Sequence, residues 1–365
     1  MPKRGVLPLK IAYVFPGQGA QYPGMAKEIY DQFASARQVF KTASRTLGYS
    51  MERLCFEEGD RLNLTEYTQP ALVTASCAVL AAMHESLNLS ADTAAGLSLG
   101  EYSALVCAGA VDFADAVMLV SKRGRFMQEA CPAGAGTMAT VLGLDRDCVI
   151  DICLDVQKAG AGIVEPANFN CPGQIVISGE TAAVERAAEL AQSRGARRVI
   201  RLNVSGPFHS SLLSAAGMRL RSELAQVDIT SPTIPVYSNV AARPSMDPDE
   251  IRELLVRQVA SPVLWEQTVA NMAEAGIDVF IEVGPGRTLT GLVKKTVPHA
   301  VAMNVEDLSS LEALREFLAE HASVHLPSQV AQVAAAALKT EPASLRKVSY
   351  ATQPELVSSS KRAYR

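Results

Sequence analysis

The chain has few aromatic residues and almost no excess charge. Over 365 residues it has one tryptophan and an aromatic share of 5%, and its 34 lysines and arginines face 38 aspartates and glutamates. The formal net charge at pH 7 is −4, whereas nucleic-acid-binding proteins usually carry a strong basic excess. We therefore expect no nucleic-acid partner. The aliphatic composition instead favours a globular α/β enzyme, and the length fits either one large domain with a smaller one or two ordinary domains.

Paired cysteines and long apolar runs are also absent. The seven cysteines include no C-x-x-C pair, and no histidine lies near them at the spacing of a metal site. Such cysteines are typical of small core residues in a reduced protein. No apolar run reaches membrane-spanning length, and no apolar segment follows the charged start at 1–5. We therefore predict a cytoplasmic chain that binds no metal and no membrane.

The most informative motif is the pentapeptide GLSLG at 96–100. Its spacing is that of a sharp strand-to-helix turn presenting a nucleophilic serine, here Ser98. The two glycines permit the strand and the helix to approach closely, and the start of the helix directs free N–H groups towards a developing oxyanion. A glycine-rich helix start with a capping serine explains the pentapeptide equally well, so this motif alone leaves catalysis open.

A serine needs a general base to act as a nucleophile near neutral pH, and the chain has five histidines. His84 lies in the polar end of a predicted helix. Three others lie at or beyond the end of the regular pattern: His299, His321 and His325. His209 follows a predicted strand, in a loop shaped by glycine and proline at 204–210. A solvated loop histidine is the common alternative, but His209 is the best-placed partner for Ser98.

Arg123 lies on the apolar face of the helix predicted over 112–130. Its companions on that face, at spacings of three and four, are Ala116, Val120 and Met127. An unpaired guanidinium in such a position is costly, so Arg123 needs an anion. One candidate is a core carboxylate in a structural salt bridge. The other is the free carboxylate of a substrate, held by a two-point fork.

The chain opens on a predicted buried strand at 11–15, a loop at 16–21 and a helix from 25 to 47, which is the first unit of a parallel α/β sheet. The loop matches neither the P-loop nor the G-x-G-x-x-G pattern, so we set nucleotide binding aside. This loop and the serine turn both follow strands, at the edge where open α/β sheets bind ligands. A backbone N–H near Gln18 and the N–H of Leu99 are therefore candidates to face an oxyanion together.

The middle of the chain has a different rhythm, with the order β-α-β-β-α-β that is typical of a ferredoxin-like subdomain. The predicted elements are strands 137–142, 162–169, 174–178 and 197–204, and helices 146–158 and 181–194. Because the α/β pattern resumes in strands 235–238 and 279–283, we predict that the subdomain is inserted into the larger domain. The predicted boundaries are 8–132 and 205–305 for the core and 133–204 for the subdomain.

Beyond the core, Ser309 and Glu312 have the spacing of a capping box and predict a terminal helix within 306–323. From 324 to 365 no periodicity is sustained, and six basic residues face two acidic ones. We expect this tail to be disordered, with a docking role as the alternative.

Seven motifs between about residues 10 and 300 follow one another in a fixed order. They are FPGQGAQ at 15–21, GLSLGEYSAL at 96–105, RGRFMQ at 123–128, ANFNCPGQ at 167–174, SGPFH at 205–209, Q-x-x-x-P-V-x-W at 258–265 and EVGPG at 282–286. Together they closely resemble the malonyl-CoA:acyl carrier protein transacylase family. Many bacterial members have histidine where this chain has Leu97.

The resemblance implies an α/β-hydrolase-like core with a parallel sheet plus an inserted ferredoxin-like subdomain. It implies ping-pong transfer of malonyl from malonyl-CoA to the phosphopantetheine thiol of acyl carrier protein, for fatty-acid synthesis. We also expect a monomer that needs no cofactor. The implied site comprises Ser98 as nucleophile, His209 as base oriented by a backbone carbonyl, Arg123 on the malonyl carboxylate, the amides of Gln18 and Leu99 as oxyanion hole, and Gln258 lining the site.

Three alternatives remain open on the sequence: a malonyltransferase acting in trans for a polyketide synthase, a serine thioesterase or hydrolase, and a non-catalytic carrier-binding protein. Since acyl carrier proteins are usually acidic, a basic patch is expected to receive one, and a generic solvated surface is the alternative. Two groups of residues are candidates: Arg194, Arg197, Arg198 and Arg201, or Arg287, Lys294 and Lys295.

Overall fold

The structure is a computed structural model that describes residues 9–131, 134–204 and 206–321. The strands are β1 (Ile11–Phe15), β2 (Thr93–Gly96), β3 (Gly136–Leu142), β4 (Val164–Cys171), β5 (Gln174–Glu180), β6 (Arg198–Arg201), β7 (Val236–Tyr237), β8 (Pro244–Ser245), β9 (Val279–Val283) and β10 (Val301–Val305). The helices before β3 are α1 (Lys27–Gln32), α2 (Ala34–Leu47), α3 (Met51–Phe56), α4 (Gly59–Leu62), α5 (Thr65–Leu87), α6 (Gly100–Cys107) and α7 (Phe113–Glu129). The later helices are α8 (Arg146–Lys158), α9 (Thr181–Ser193), α10 (Ser214–Leu224), α11 (Pro248–Gln258), α12 (Trp265–Glu274), α13 (Thr288–Thr296) and α14 (Leu308–Glu320), with a 3-10 turn at Ser211–Leu213.

The first sheet has the strand order β10-β9-β1-β2-β7-β8. Its pairs are parallel except for β7 with β8, and in the centre Val14 of β1 lies opposite Ala95 of β2. Every residue of β1, β2 and β9 is buried, as expected for parallel strands covered by helices on both faces. The carboxyl ends of β1 and β2 therefore meet at one edge of the sheet.

The second sheet is antiparallel and has the order β4-β5-β3-β6. With α8 and α9 between its strands, it has the β-α-β-β-α-β order expected of a ferredoxin-like unit. A parallel bridge between Asn168 of β4 and Val263 joins it to the chain that follows α11. The predicted fold class, a parallel α/β core plus a separate antiparallel subdomain, is confirmed.

Helix α5 forms the centre of the main core. It is the one helix in the described part of the chain that is long and apolar enough to cross a membrane. However, most of it is buried inside the structure, against α2, α6 and α7. It is therefore a core helix of the fold.

The helix expected from 25 to 47 is two helices, because the chain is extended at Phe33, with φ −107° and ψ 131°. Arg37 donates from Nη1 to the carbonyls of Tyr30 and Asp31, at 3.0 and 2.8 Å. These bonds satisfy the end of α1, so that the chain can turn before α2 begins. Periodicity alone did not show this break.

Two other segments also differ from expectation. Strand β6 ends at Arg201, and residues 202–204 leave the sheet to line a cleft. The capping box of α14 is made by Asp307 and Ser310, which lie two residues before the expected pair. The expected tail, 324–365, lies outside the described residues.

Candidate active site

The turn that carries Ser98 joins β2 to α6 at the carboxyl edge of the first sheet. Ser98 has a φ of 52°, a left-handed value that is strained for a residue with a side chain. A Cβ on Gly96 would lie 1.9 Å from the carbonyl carbon of Gly100, and a Cβ on Gly100 would lie 2.1 Å from the oxygen of Phe15. Both positions therefore require glycine.

The structure brings Ser98 and His209 together. Their Oγ and Nε2 atoms are 2.7 Å apart, and the two residues are 9% and 4% exposed. The Nδ1 of His209 lies 2.8 Å from the carbonyl oxygen of Gln258. Because a carbonyl only accepts, Nδ1 carries the proton and Nε2 is left to accept from the serine.

The pKa of His209 is lowered from its usual value to about 4, chiefly by burial and then by the positive charge of Arg123. The imidazole is therefore neutral over the physiological range, with a free lone pair directed at the Ser98 hydroxyl. A neutral histidine in this position can accept a proton and later return it. Like Ser98, His209 has a left-handed backbone, with a φ of 60°.

Arg123 lies beneath the same hydroxyl and is only 1% exposed. Its Nη2 donates to Ser98 Oγ at 3.1 Å and to Gln258 Oε1 at 3.0 Å, while Nη1 donates to Gln69 Oε1 at 2.9 Å. It makes no ion pair with any residue that the structure describes, and its buried Nε has no partner there. The core salt bridge considered from the sequence is thus not found, and the guanidinium retains capacity for an anion.

The two backbone amides expected to bind an oxyanion lie beside Ser98. Leu99 is the next residue, at the start of α6, and Gln18 lines the same cleft from the loop after β1. Within the described ranges, neither N–H donates a hydrogen bond. The Gln18 side chain is held by Thr65 Oγ1, at 3.3 Å, and by Gln69 Nε2, at 3.4 Å.

The cleft above Ser98 has a volume of about 560 Å³ and lies between the two sheets. The first sheet and its helices form one wall, and the second sheet forms the other. Lining residues from the second wall are Met138, Asn168, Asn170, Gln174 and Val176. The cleft is large enough for an acyl thioester and its pantetheine arm.

Sequence reasoning missed Asn239, which clamps the nucleophile turn. Its Oδ1 accepts from the N–H of Ser98 at 2.5 Å, and its Nδ2 donates to the carbonyl of Gly96 at 2.6 Å. These bonds hold both sides of the strained turn. Asn239 follows β7, at the same sheet edge as Ser98. Since open α/β sheets bind ligands at the carboxyl ends of their strands, this position also indicated a residue of the site.

Glu101 and Gln69 were also missed; each is a polar residue in a buried stretch of its helix. Glu101 is 3% exposed and accepts from the N–H of Asn239 at 3.1 Å and from Gln258 Nε2 at 2.7 Å. Burial raises the pKa of its carboxyl to about 7, against these hydrogen bonds and the charge of Arg123, which lower it. Gln69 holds Arg123 from the other side.

A parallel α/β core with a buried serine–histidine pair at its ligand-binding edge defines an enzyme of acyl transfer. The acyl transferase domain family matches residues 12–339. The malonyl CoA-acyl carrier protein transacylase of Bacillus subtilis (strain 168) is 46% identical over 312 residues, which are 85% of this chain and 98% of that protein. The chain therefore belongs to the malonyl-CoA:acyl carrier protein transacylase family, as the sequence resemblance predicted.

Solved structures agree with this assignment. The malonyl CoA-acyl carrier protein transacylase of Clostridium perfringens superimposes with a TM-score of 0.83 at 46% identity, over 86% of this chain and 98% of that one. A second similar structure is a type II PKS acyl-carrier protein in complex with its malonyl-transacylase, with a TM-score of 0.82 at 42% identity, over 84% and 99% of the two chains.

Proposed function

We propose that this protein transfers malonyl from malonyl-CoA to the phosphopantetheine thiol of an acyl carrier protein through a malonyl ester of Ser98. The observation that carries the proposal is the position of Ser98 Oγ, shared between His209 Nε2 at 2.7 Å and Arg123 Nη2 at 3.1 Å. One neighbour is a base for the hydroxyl, and the other is a cation for the free end of a carboxylated acyl group. We further propose that it works as a cytoplasmic monomer and needs no cofactor.

In the first half-reaction, Ser98 Oγ attacks the thioester carbonyl while its proton passes to His209 Nε2. The carbonyl of Gln258 accepts from the Nδ1–H of His209 at 2.8 Å and stabilises the imidazolium that forms. The tetrahedral intermediate then expels the coenzyme A sulfur, which takes the proton from His209. Malonyl-Ser98 and free coenzyme A remain, and His209 is neutral again.

The second half-reaction reverses these roles with a new thiol. The phosphopantetheine thiol gives its proton to His209 Nε2, and its sulfur attacks the ester carbonyl. Collapse of the intermediate breaks the ester bond, and the oxygen of Ser98 recovers the proton. Because both half-reactions use one base and one nucleophile, the two thioesters must occupy the cleft in turn, which gives ping-pong kinetics.

We assign the oxyanion hole to the backbone amides of Gln18 and Leu99. Both N–H groups are without an acceptor among the described residues and flank the nucleophile. In other enzymes a donor of this kind contributes about 3–4 kcal/mol to the transition state. The start of α6 adds the positive end of a helix dipole at the same place.

Arg123 selects the acyl group in this scheme. Its guanidinium uses three of its five N–H donors within the protein. A malonyl carboxylate would take the place of Ser98 Oγ on Nη2 once that hydroxyl has been acylated. An acetyl group offers no such anion, so the buried charge would remain unpaired.

We also propose the domain division 8–132 plus 205–305 for the core and 133–204 for the subdomain. The antiparallel sheet with its two helices has its own apolar cluster, formed on residues 139–191. In this division the core carries the nucleophile, base and guanidinium, and the subdomain supplies the opposite wall of the cleft.

For the carrier protein, we propose a docking surface around α13, formed by Arg287, Lys294 and Lys295. All three are exposed and make no ion pair among the described residues, and α13 lines the cleft through Thr288 and Leu292. Such free positive charges suit an acidic partner at the cleft mouth.

In the other basic group, Arg194 and Arg201 are already paired with Asp155 and Glu185. Charge reversal of Lys294 and Lys295 should therefore raise the KM for the holo carrier protein and leave acylation by malonyl-CoA unchanged. Charge reversal of Arg197 and Arg198 serves as the comparison. An equal effect of both pairs would contradict a surface confined to α13.

A second candidate is the same chemistry in the service of a polyketide synthase. It is favoured by the similarity to a malonyl-transacylase whose structure contains a type II PKS acyl-carrier protein. Transfer rates to fatty-acid and polyketide carrier proteins, measured side by side, would distinguish the two.

The decisive experiment is incubation with radiolabelled malonyl-CoA without a carrier, followed by peptide mass spectrometry. A malonyl ester on Ser98 that is discharged by holo carrier protein supports the transferase, and Ser98→Ala should carry no label. Free malonate without a stable ester would instead indicate a hydrolase. No labelling at all would indicate a carrier-binding protein without catalytic activity.

A further inference from the structure

Glu101 is a buried carboxyl that the proposed mechanism does not use. It lies in the first turn of α6, three residues after Ser98, and does not line the cleft. Its Oε2 accepts from Gln258 Nε2 at 2.7 Å and from the backbone N–H of Asn239 at 3.1 Å. Among the described residues it makes no direct ion pair, so the side chain acts through these two partners.

The more informative partner is Gln258, whose amide has one chemically allowed orientation. Its Nε2 donates to Glu101 Oε2 and to the carbonyl of Ser98, at 2.7 and 2.9 Å, while its Oε1 accepts from Arg123 Nη2 at 3.0 Å. Reversal of the amide would place its oxygen against two acceptors and its NH2 group against a guanidinium. Glu101 supplies one of the two acceptors that fix this orientation.

We infer that Glu101 is a positioning residue for acyl-group selection: through the Gln258 amide it directs Arg123 at the free carboxylate of the substrate. The inference rests on the proposed function, because it assigns to Arg123 the malonyl carboxylate. The chain Glu101–Gln258–Arg123 places a buried carboxyl group one amide away from the cation. A direct two-point ion pair would occupy two N–H donors of the guanidinium and neutralise its charge, whereas the amide bridge occupies one donor and leaves the charge for the substrate.

The second partner connects the same carboxyl to the nucleophile. Asn239 donates its backbone N–H to Glu101 and accepts the N–H of Ser98 on its side chain. Glu101 therefore contacts both Gln258, which holds Arg123, and Asn239, which holds the serine turn. Its removal could shift the turn as well as the guanidinium. The test has to separate these two effects.

The test measures acylation of Ser98 by malonyl-CoA and by acetyl-CoA, with rate and KM obtained separately, for Glu101→Ala and Glu101→Gln. For Glu101→Ala we expect about a tenfold loss of the malonyl-over-acetyl preference, carried by a higher KM for malonyl-CoA. Glu101→Gln should restore most of the preference, because its carbonyl oxygen can accept the same two N–H groups. In a Gln258→Ala background, Glu101→Ala should cause no further loss, since the connecting amide is gone.

Glu282→Gln is the matched control. This carboxyl is also buried, but it accepts from the N–H groups of Leu289 and Thr290 at the start of α13. The Glu282→Gln variant should therefore have the malonyl-over-acetyl preference of the wild type. If Glu101→Ala loses its cooperative melting transition, Glu101→Leu, which retains side-chain volume, replaces it.

An equal loss for both acyl groups, or an unchanged preference in a folded variant, would overturn the inference. The absence of a malonyl-Ser98 ester in the wild type would instead overturn the proposed function, so the two failures are distinguishable.

Discussion

Replacing Arg123 by alanine is the most direct test of acyl-group selection. The guanidinium is buried, is held by Gln69 and Gln258, and directs Nη2 at the Ser98 hydroxyl. A two-point fork on a carboxylate provides two charge-assisted hydrogen bonds, each contributing about 1.5–3 kcal/mol. Their loss amounts to about 3–6 kcal/mol, or roughly 10²- to 10⁴-fold in kcat/KM for malonyl-CoA. Acetyl-CoA makes neither bond and should be used as well as before, or better.

The assay is the rate of Ser98 acylation by each thioester, followed by intact-protein mass spectrometry. Arg125→Ala is the matched control, because Arg125 lies on the same helix but is exposed; its kinetics should equal those of the wild type. A melting curve establishes that the Arg123 variant is folded. If that variant acylates with malonyl-CoA at a near wild-type rate, the carboxylate role of Arg123 is wrong.

Three further predictions follow from the geometry. Because the pKa of His209 is lowered to about 4, the imidazole stays neutral and able to accept a proton at pH values well below the usual histidine pKa. The kcat/KM measured from pH 4 to 8 should therefore fall only towards pH 4. An acid limb near pH 6.5 would contradict the assignment of His209 as a base with a lowered pKa. Gly100→Ala places a Cβ 2.1 Å from the oxygen of Phe15, so activity should fall at least about tenfold through distortion of the serine turn; Gly291→Ala, with nothing within 4 Å of the added Cβ, should be active. Asp307→Ala removes the side-chain cap of α14 and should lower the free energy of unfolding by about 1 kcal/mol in urea titrations, with acylation rates unchanged.

Local patterns in the sequence were sufficient for much of the fold. The serine turn depends on two glycines at fixed spacing, and the β-α-β-β-α-β order follows from apolar periodicity in consecutive segments. No local pattern relates Ser98 to His209, which lie 111 positions apart, so the sequence indicates this pairing only because none of the other four histidines is as well placed.

The remaining features depend on tertiary contacts or on a choice between near-equivalent local signals. Asn239 follows a predicted strand, so its place at the sheet edge could be expected, but its hydrogen bond to the serine turn, 141 residues away, is visible only in the folded chain. Near the start of α14 the sequence contains two pairs with the spacing of a capping box, Asp307 with Ser310 and Ser309 with Glu312. In the structure the first pair, which begins with aspartate, caps the helix. In α1 the helix ends because Arg37 binds its last carbonyls, a contact that periodicity does not describe.

The bridge between β4 and the chain after α11 has a consequence for exchanging parts between relatives. The N–H of Phe169 donates to the carbonyl of Val263 at 2.9 Å, and the N–H of Val263 donates to the carbonyl of Ala167 at 2.8 Å. Val263 lies five residues after Gln258, whose carbonyl accepts from the His209 imidazole. A chimaera that takes only residues 133–204 from a relative keeps these two bonds only if the incoming strand meets Val263 in the same register, whereas one that also takes 259–265 transfers both sides of the bridge together.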